Sequence, residues 1–237
     1  MASILTELNR TSRAINFRYS NLYLALGRTT AWPDEENPPT PLITMTEIEE
    51  FIFLKKFIFK KVMKEITYDN IVLINIDGTF EVDEEIEGGT SGATATILSI
   101  DGSQLNLTLI SGTFVLDEEV TGGTSSATGD IDDIEISSFE VAGVKYVEVT
   151  DEKAYDEDIR LVVLEAEVNW TDIIGTSLDY RQVGVVEDPK YEGVILDGML
   201  YLAAAVDDQG ILHYVNNIVA VHRDPAQIER IVIMVEY

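Results

Sequence analysis

The sequence predicts a mainly β protein: a β-sandwich core with one or two short helices in loops, plus an inserted small β module built from two tandem repeats. Three observations predict it. A segment of 21 residues recurs at a fixed offset. Runs rich in Val, Ile, Leu and Tyr alternate with period two between clusters of Gly, Pro and Asp. Finally, about a quarter of the chain holds about half of its net charge of −27.

The repeat fixes the module. Asp77 to Ile97 returns as Ser111 to Ile131, offset by 34 residues without a gap and with 13 of 21 positions identical. In each copy Gly-Thr-Phe is expected to open a short strand. Asp-Glu-Glu is placed near a solvent-facing turn, and Ile86 or Val120 returns to the core. Gly88-Gly89 and Gly122-Gly123 are expected to supply the positive φ of a tight reversal. Ala95 to Ile100 and Leu105 to Ile110 read as half-buried strands. The Gly and Thr content argues against a helical repeat. Residues 77–135 hold 14 acids and no Lys or Arg, which sets the module apart in charge as well. The expected division is a core of residues 1–70 and 137–237 and a module of residues 71–136.

On the N-terminal side, Asn21 to Leu26 reads as a strand. Trp32-Pro-Asp-Glu-Glu-Asn-Pro-Pro-Thr-Pro41 cannot be regular structure, because its prolines lack amide hydrogens and restrict the residues before them. Thr46 with Glu49 forms a capping box for a helix through about Lys56. Phe57 to Met63 fits a helix or a strand. Beyond the repeats the expected strands are Val144 to Val149, Arg160 to Val168, Arg181 to Val186, Gly198 to Val206, Ile211 to Val221 and Ile228 to Val235.

Composition excludes several functions. With 237 residues, 46% of them apolar, the chain can bury a real core. It has no Cys, hence no disulfide framework, thiolate nucleophile or zinc–thiolate site. Its longest apolar stretch, Phe51 to Phe59, is broken by Lys55 and Lys56 and is too short to span a bilayer. The opening Met1-Ala2-Ser3-Ile4 lacks the pattern of a secretory signal, so a cytoplasmic, soluble product is expected. The net negative charge opposes nucleic acid and anionic membranes.

No reaction chemistry is legible, and the expectation is a non-enzyme without cofactor or metal. His213 and His222 lie in apparent strands without a Cys or a Gly-x-Ser-x-Gly elbow to serve. His222-Arg223-Asp224 lacks the Asn of a kinase loop, since Glu229 stands there. Asp130-Ile-Asp132-Asp133-Ile-Glu135 lacks the Gly and distal Glu of a calcium loop, and a solvated acidic rim is the plainer reading. Gly88 to Gly92 has no Lys following to hold phosphate.

Three segments together resemble the baseplate wedge proteins of contractile-tailed bacteriophages. Leu22 to Pro41 is similar to that family's strand, Gly-Arg, Trp and proline-loop opening. Tyr180-Arg181-Gln182 through Asp188-Pro189 resembles its aromatic-Arg-Gln strand ending in Asp-Pro. Tyr214 to Asn217 and Gln227-Ile-Glu229 resemble its close. The repeats depart from the family's central portion. The resemblance implies a structural virion protein of the tail baseplate, assembled in the host cytoplasm, dimerising within the wedge and contacting other wedge and tail proteins. Under it Arg28, Trp32, Pro33, Pro38, Pro39 and Pro41 are candidate interface residues. Tyr180, Arg181, Gln182, Asp188, Pro189, Asn217, Gln227 and Glu229 form a candidate structural motif. Trp32 reads equally as an interface anchor or as a cover for its own core edge. Another tail or neck component is the alternative, followed by a carbohydrate-binding β protein with Trp32 or Trp170 as platform.

Overall fold

A computed structural model describes residues 2–172, 178–192 and 200–237. In chain order the elements begin with helix α1 (Ala2–Tyr19), β1 (Leu22–Gly27), β2 (Phe53–Lys56) and β3 (Phe59–Ile66). There follow β4 (Asp69–Asp77), β5 (Glu85–Gly88), β6 (Thr94–Asp101), β7 (Gln104–Ser111), β8 (Glu119–Gly122) and β9 (Thr128–Glu135). Next come β10 (Phe139–Val141), β11 (Val144–Glu148), helix α2 (Asp151–Asp156), β12 (Leu161–Asn169) and β13 (Leu178–Glu187). The chain closes with β14 (Lys190–Tyr191), β15 (Leu200–Leu202), β16 (Val206–Asp208), β17 (Ile211–Arg223) and β18 (Ile228–Glu236). The protein is mainly β, and it divides into two compact units, residues 1–62 with 150–237 and residues 63–149.

The first unit is the sandwich. One sheet has the order β15-β2-β1-β13-β17. β1 lies at its centre, antiparallel to β13 (Leu24↔Val185) and to β2 (Leu26↔Phe53), and all six of its residues are buried. Alternation places Tyr23 and Ala25 on one face, packed with Ile48, Leu54, Val186 and Tyr201. Leu22, Leu24 and Leu26 take the other. The second sheet sets β12 between β18 and the first half of β3. Phe53 meets Trp170, which follows β12, edge to face at 5.8 Å and so joins the layers.

Two local readings change. Residues 46–56 are not helical: residues 46–52 have no regular structure and Phe53–Lys56 is strand β2. Phe53 and Leu54 are fully buried and paired on both sides, so burial overrides the cap signal. The capping pair is engaged elsewhere, with the Glu49 amide donating to Gln182 Oε1 at 2.8 Å. Of the strand expected over Gly198 to Val206, Leu200–Leu202 is extended, a 3-10 turn at Ala203–Ala205 breaks it, and β16 starts at Val206, while residues 198 and 199 lie outside the described residues. A helix absent from the sequence reading, α1, buries Thr11, Ala14, Ile15 and Phe17 at helical spacing. Its last turn is tied to α2 by Arg18 and Asp151 at 2.5 Å.

In the second unit, the second half of β3 pairs with β11, and β11 with β10. The remainder is a closed six-stranded barrel of order β4-β7-β6-β5-β8-β9. At the repeat offset β4, β5 and β6 correspond to β7, β8 and β9, and exchanging the two sets reproduces the ring, so the barrel has an internal pseudo-twofold axis. The backbone obeys it: φ is +69° at Asp83 and +63° at Asp117, and +86° at Gly78 and +82° at Gly112. Ile71, Leu73, Phe80, Ile86, Ile97 and their partners fill the interior.

The Asp-Glu-Glu segments do lie at exposed turns, with Asp83, Glu85, Asp117 and Glu119 open to solvent, but the middle residue of each departs from the expectation. Glu84 and Glu118 are not solvent-facing but 5% and 3% exposed. Glu84 accepts from its own Glu81 amide (2.6 Å), then from Thr124 N (3.2 Å), Ser125 N (2.9 Å) and Ser125 Oγ (2.9 Å) of the other copy. Glu118 accepts in the same way from Val115 N, Thr90 N, Ser91 N and Ser91 Oγ. Each copy thus clasps the turn of the other. The paired glycines serve this clasp rather than a positive φ. A Cβ on Gly88 would meet Glu118 at 2.7 Å, and one on Gly122 would meet Glu84 Oε2 at 2.6 Å.

Burial opposes ionisation of these carboxyls, but the hydrogen bonds outweigh it and hold both below the ordinary value of 4.5. A depressed folded-state value means the contribution is whole above 4.5 and is lost as the pH falls through the lowered value. Glu84→Ala or Glu118→Ala should therefore cost the barrel about 3 kcal/mol, read from urea unfolding followed by amide exchange in β5 and β8. The wild-type unfolding midpoint should drop on acidification below about pH 4.5, and a Glu84→Gln/Glu118→Gln variant should lack that component of the drop.

Candidate functional site

The motif residues of the sandwich gather into two networks, both in the first unit. The first is built round a bulge. Strand β13 pairs with β17 as Tyr180↔Val221 and Gln182↔Asn217, so β17 carries two extra residues between these pairs. The Ile218 carbonyl in that bulge accepts from Trp32 Nε1 at 3.0 Å. Arg181, opposite, donates to Glu35 through Nε (2.9 and 3.2 Å) and to the Thr29 carbonyl through Nη1 (2.7 Å). Glu35 in turn accepts from the Trp32 amide at 3.0 Å.

The same loop is held from below. The Arg28 guanidinium lies 3.8 Å from the Trp32 ring centroid and is ion-paired with Glu49. Hydrogen bonds from Thr30 and Thr29 hold the Glu50 carboxyl down to about 2. Gln182 Nε2 donates to Asn217 Oδ1 (2.9 Å), and Asn217 Nδ2 donates to the Pro39 carbonyl (2.7 Å). Gly27 has no room for a side chain, since a Cβ would meet the Glu49 carbonyl and Ile48. Gly184 is closed by Ile48 Cδ1 at 2.5 Å. The Gly-Arg and Gln-Val-Gly spacings are thus packing requirements.

The second network centres on Glu229. It is ion-paired with Arg223, accepts from Trp170 Nε1 (3.2 Å) and accepts from the Tyr180 hydroxyl (3.3 Å). Trp170 and Tyr180 stack at 5.6 Å. Burial, then the Glu229 charge, push the Tyr180 hydroxyl upward from its ordinary value. Gln227 closes the adjoining turn, accepting from the Asp224 amide through Oε1 and from the Trp170 amide through its carbonyl. Asp188 has φ +48° and donates its amide to the Asn21 carbonyl, turning the chain out of β13 ahead of Pro189.

Trp32 is 7% exposed and Trp170 fully buried, so neither offers an open face to a sugar. Arg28 and Arg181 are bonded within the chain, whereas Pro33 and Pro39 are exposed. Beyond them the loop carries two residues that the sequence reading passed over: Leu42 and Ile43 are 70% and 103% exposed. An apolar pair beside three prolines was the available signal. His213 and His222, both in β17, are bonded to Glu187 and Asp179 at 2.6 Å each. Hydrogen bonding to Asp179 raises His222 above its ordinary value. Among the described residues no group of three or more His, Cys, Asp or Glu is placed to hold a metal.

The sequence profile of a family described as baseplate wedge 3 tail fiber network component matches residues 1–70 and 124–237. The chain belongs to this family. No curated protein matches it. It is accordingly a structural virion protein, a baseplate wedge and tail fiber network component of a bacteriophage. Both networks lie wholly within the matched spans. The unmatched residues 71–123 hold β5, β6, β7 and β8 of the barrel.

Arg181→Lys keeps the charge but loses the planar fork. It should cost about 1–2 kcal/mol and speed proteolytic cleavage within residues 33–41, measured by thermal unfolding and limited proteolysis.

Proposed function

We propose that this baseplate wedge component docks an apolar pocket of a neighbouring wedge or tail fiber protein through the Leu42-Ile43 tip of its proline loop. The supporting observation is the full exposure of Ile43 on a loop whose base is anchored by Arg28, Trp32, Arg181 and Asn217. An anchored loop loses little chain entropy on docking, so its apolar tip contributes most of its burial to affinity. Pro33, Pro38, Pro39 and Pro41 are the frame of this interface. Arg28 and Trp32 are its supports.

Self-association within the wedge fits the same chain. β17 and β18 stand at the ends of their sheets and expose Ile211, Val219 and Ile228, the kind of apolar edge that pairs with another strand. We infer no turnover, a reading supported by the bonded histidines and the absence of Cys.

The barrel is proposed as an autonomous insertion. Its first and last strands are neighbours, with Asn70↔Glu135 in register and the Ser137 amide on Asp69 Oδ1 at 2.6 Å, so a short splice spans the gap.

Leu42→Asp/Ile43→Asp should leave the thermal midpoint of the purified protein within about 1 °C and abolish its incorporation into wedge complexes. Normal incorporation of that variant overturns the docking site. Replacing residues 70–135 with Gly-Ser should leave a host that unfolds cooperatively, and loss of cooperativity in urea overturns the insertion.

A further inference from the structure

The barrel holds a second site. Tyr68, Asn70, Asp101, Gln104, Asn106 and Glu135 line a cleft of about 380 Å³. It lies where β4 and β7 begin, paired only through Asp69↔Leu107 to Val72↔Gln104. The repeat builds it. At the 34-residue offset Asn70 corresponds to Gln104 and Asp101 to Glu135, so two amides and two carboxylates converge on the pseudo-twofold axis.

The groups are set for donors rather than anions. Asn70 is 5% exposed, and its amide nitrogen donates to the Tyr68 carbonyl and to Glu135 Oε2, each at 3.3 Å. Its Oδ1 accepts nothing among the described residues. Gln104 Nε2 is likewise engaged by Asn106 Oδ1 at 2.8 Å, and Asn106 Nδ2 by Ser99 Oγ at 2.9 Å, which leaves Gln104 Oε1 as an open acceptor. The positive group at the cleft, Lys64, is bonded to Glu135 at 2.6 Å. The surrounding module has 14 acids and no base between residues 77 and 135, which repels phosphate and other anions.

The symmetry is broken at the cleft: Asn106 corresponds to Val72, and apart from Thr67 the lining residues before β4 have no lining counterparts before β7. Tyr68, 46% exposed, corresponds to Gly102, so an aromatic face stands on one side of the cleft only. Amide and carboxylate acceptors beside a half-open ring match a ligand with hydroxyl donors on its edge and C–H groups on its face. The volume falls in the range of small-ligand sites, roughly 300–1,000 Å³. We propose that this cleft binds a neutral carbohydrate, with Tyr68 stacking on a pyranose ring and Asn70, Gln104 and Asp101 accepting from its hydroxyls.

The test is calorimetric titration of the full chain with chitotriose, cellotriose and maltotriose, with amide shift mapping by NMR. At least one trisaccharide should saturate below about 10 mM and perturb residues 68–70 and 101–106. Tyr68→Ala should weaken it about tenfold without moving the thermal midpoint, and Gln104→Leu, which also removes the bond to Asn106, should weaken it about tenfold with a small drop in midpoint. Absence of saturable binding by all three, shifts that map elsewhere, or affinity retained in both variants would overturn the proposal. If a variant does not fold, the wild-type shift map alone decides.

Discussion

Strand edges are the constraint round which both units are built. A sheet that ends leaves a row of amides and carbonyls without partners, and such a row invites the next chain to add itself. The second unit removes the problem by closing β4 on β9, so its ring has no edge. Closure is secured where two short strands, β5 and β8, meet across the pseudo-twofold axis. There each buried glutamate accepts four bonds from turn groups that the ladder leaves unpaired. The sandwich keeps its end strands β17 and β18 and answers the constraint at one place on β17. A bulge frees the Ile218 carbonyl, and an indole N–H from the proline loop satisfies it.

That difference divides the proline loop into an inner and an outer part. Its inner residues are consumed by the fold: Trp32 completes the β17 bulge, Glu35 neutralises Arg181, and the Pro39 carbonyl satisfies Asn217. These contacts fix the loop without reaching its tip, so Leu42 and Ile43 stay clear of the core they would otherwise join. Exposing an Ile fully gives up about 2 kcal/mol of burial that folding could have gained. The docking proposed for this tip would recover that loss, with the rigid base holding the apolar pair ready for it.

Long-range periodicity was the legible part of the sequence. Strands β12, β13, β17 and β18 and the barrel repeats follow from alternation and self-similarity, because a half-buried strand leaves its period in the chain. The failures share another cause. Residues 46–56 carry a capping box, yet Phe53 and Leu54 are claimed by a sheet whose other members are distant in sequence. The helix α1 went unseen since its buried face includes Thr11 and Ala14 beside charged neighbours. Glu84 and Glu118 read as solvent-exposed because their partners lie 40 and 27 residues away, and local composition is silent about such pairs. Of the sandwich motif, the sequence supplied the members. Their arrangement round the bulge and Glu229 is set by contacts across the sheet, since the spacing does not say that Asn217 reaches Pro39.

The internal symmetry also says where the barrel is free to vary. At the clasp neither copy can change alone, because the glutamate of one requires the glycines and serine of the other; Gly88, Ser91 and Glu118 make one unit, Gly122, Ser125 and Glu84 its mirror. Away from it the copies diverge in residue while keeping the same backbone. Gly92 and Ser126 both take a left-handed backbone, and Leu109 repeats the +52° of Asn75 at +51°. A difference between copies is therefore informative only where it alters a shared cavity. Tyr68 against Gly102 does so: a symmetric cleft needs no aromatic on one flank, and neither the clasp nor the barrel core makes use of that ring. The asymmetry points outward, to a ligand that is itself asymmetric and that enters with its hydrogen-bond donors toward the amides.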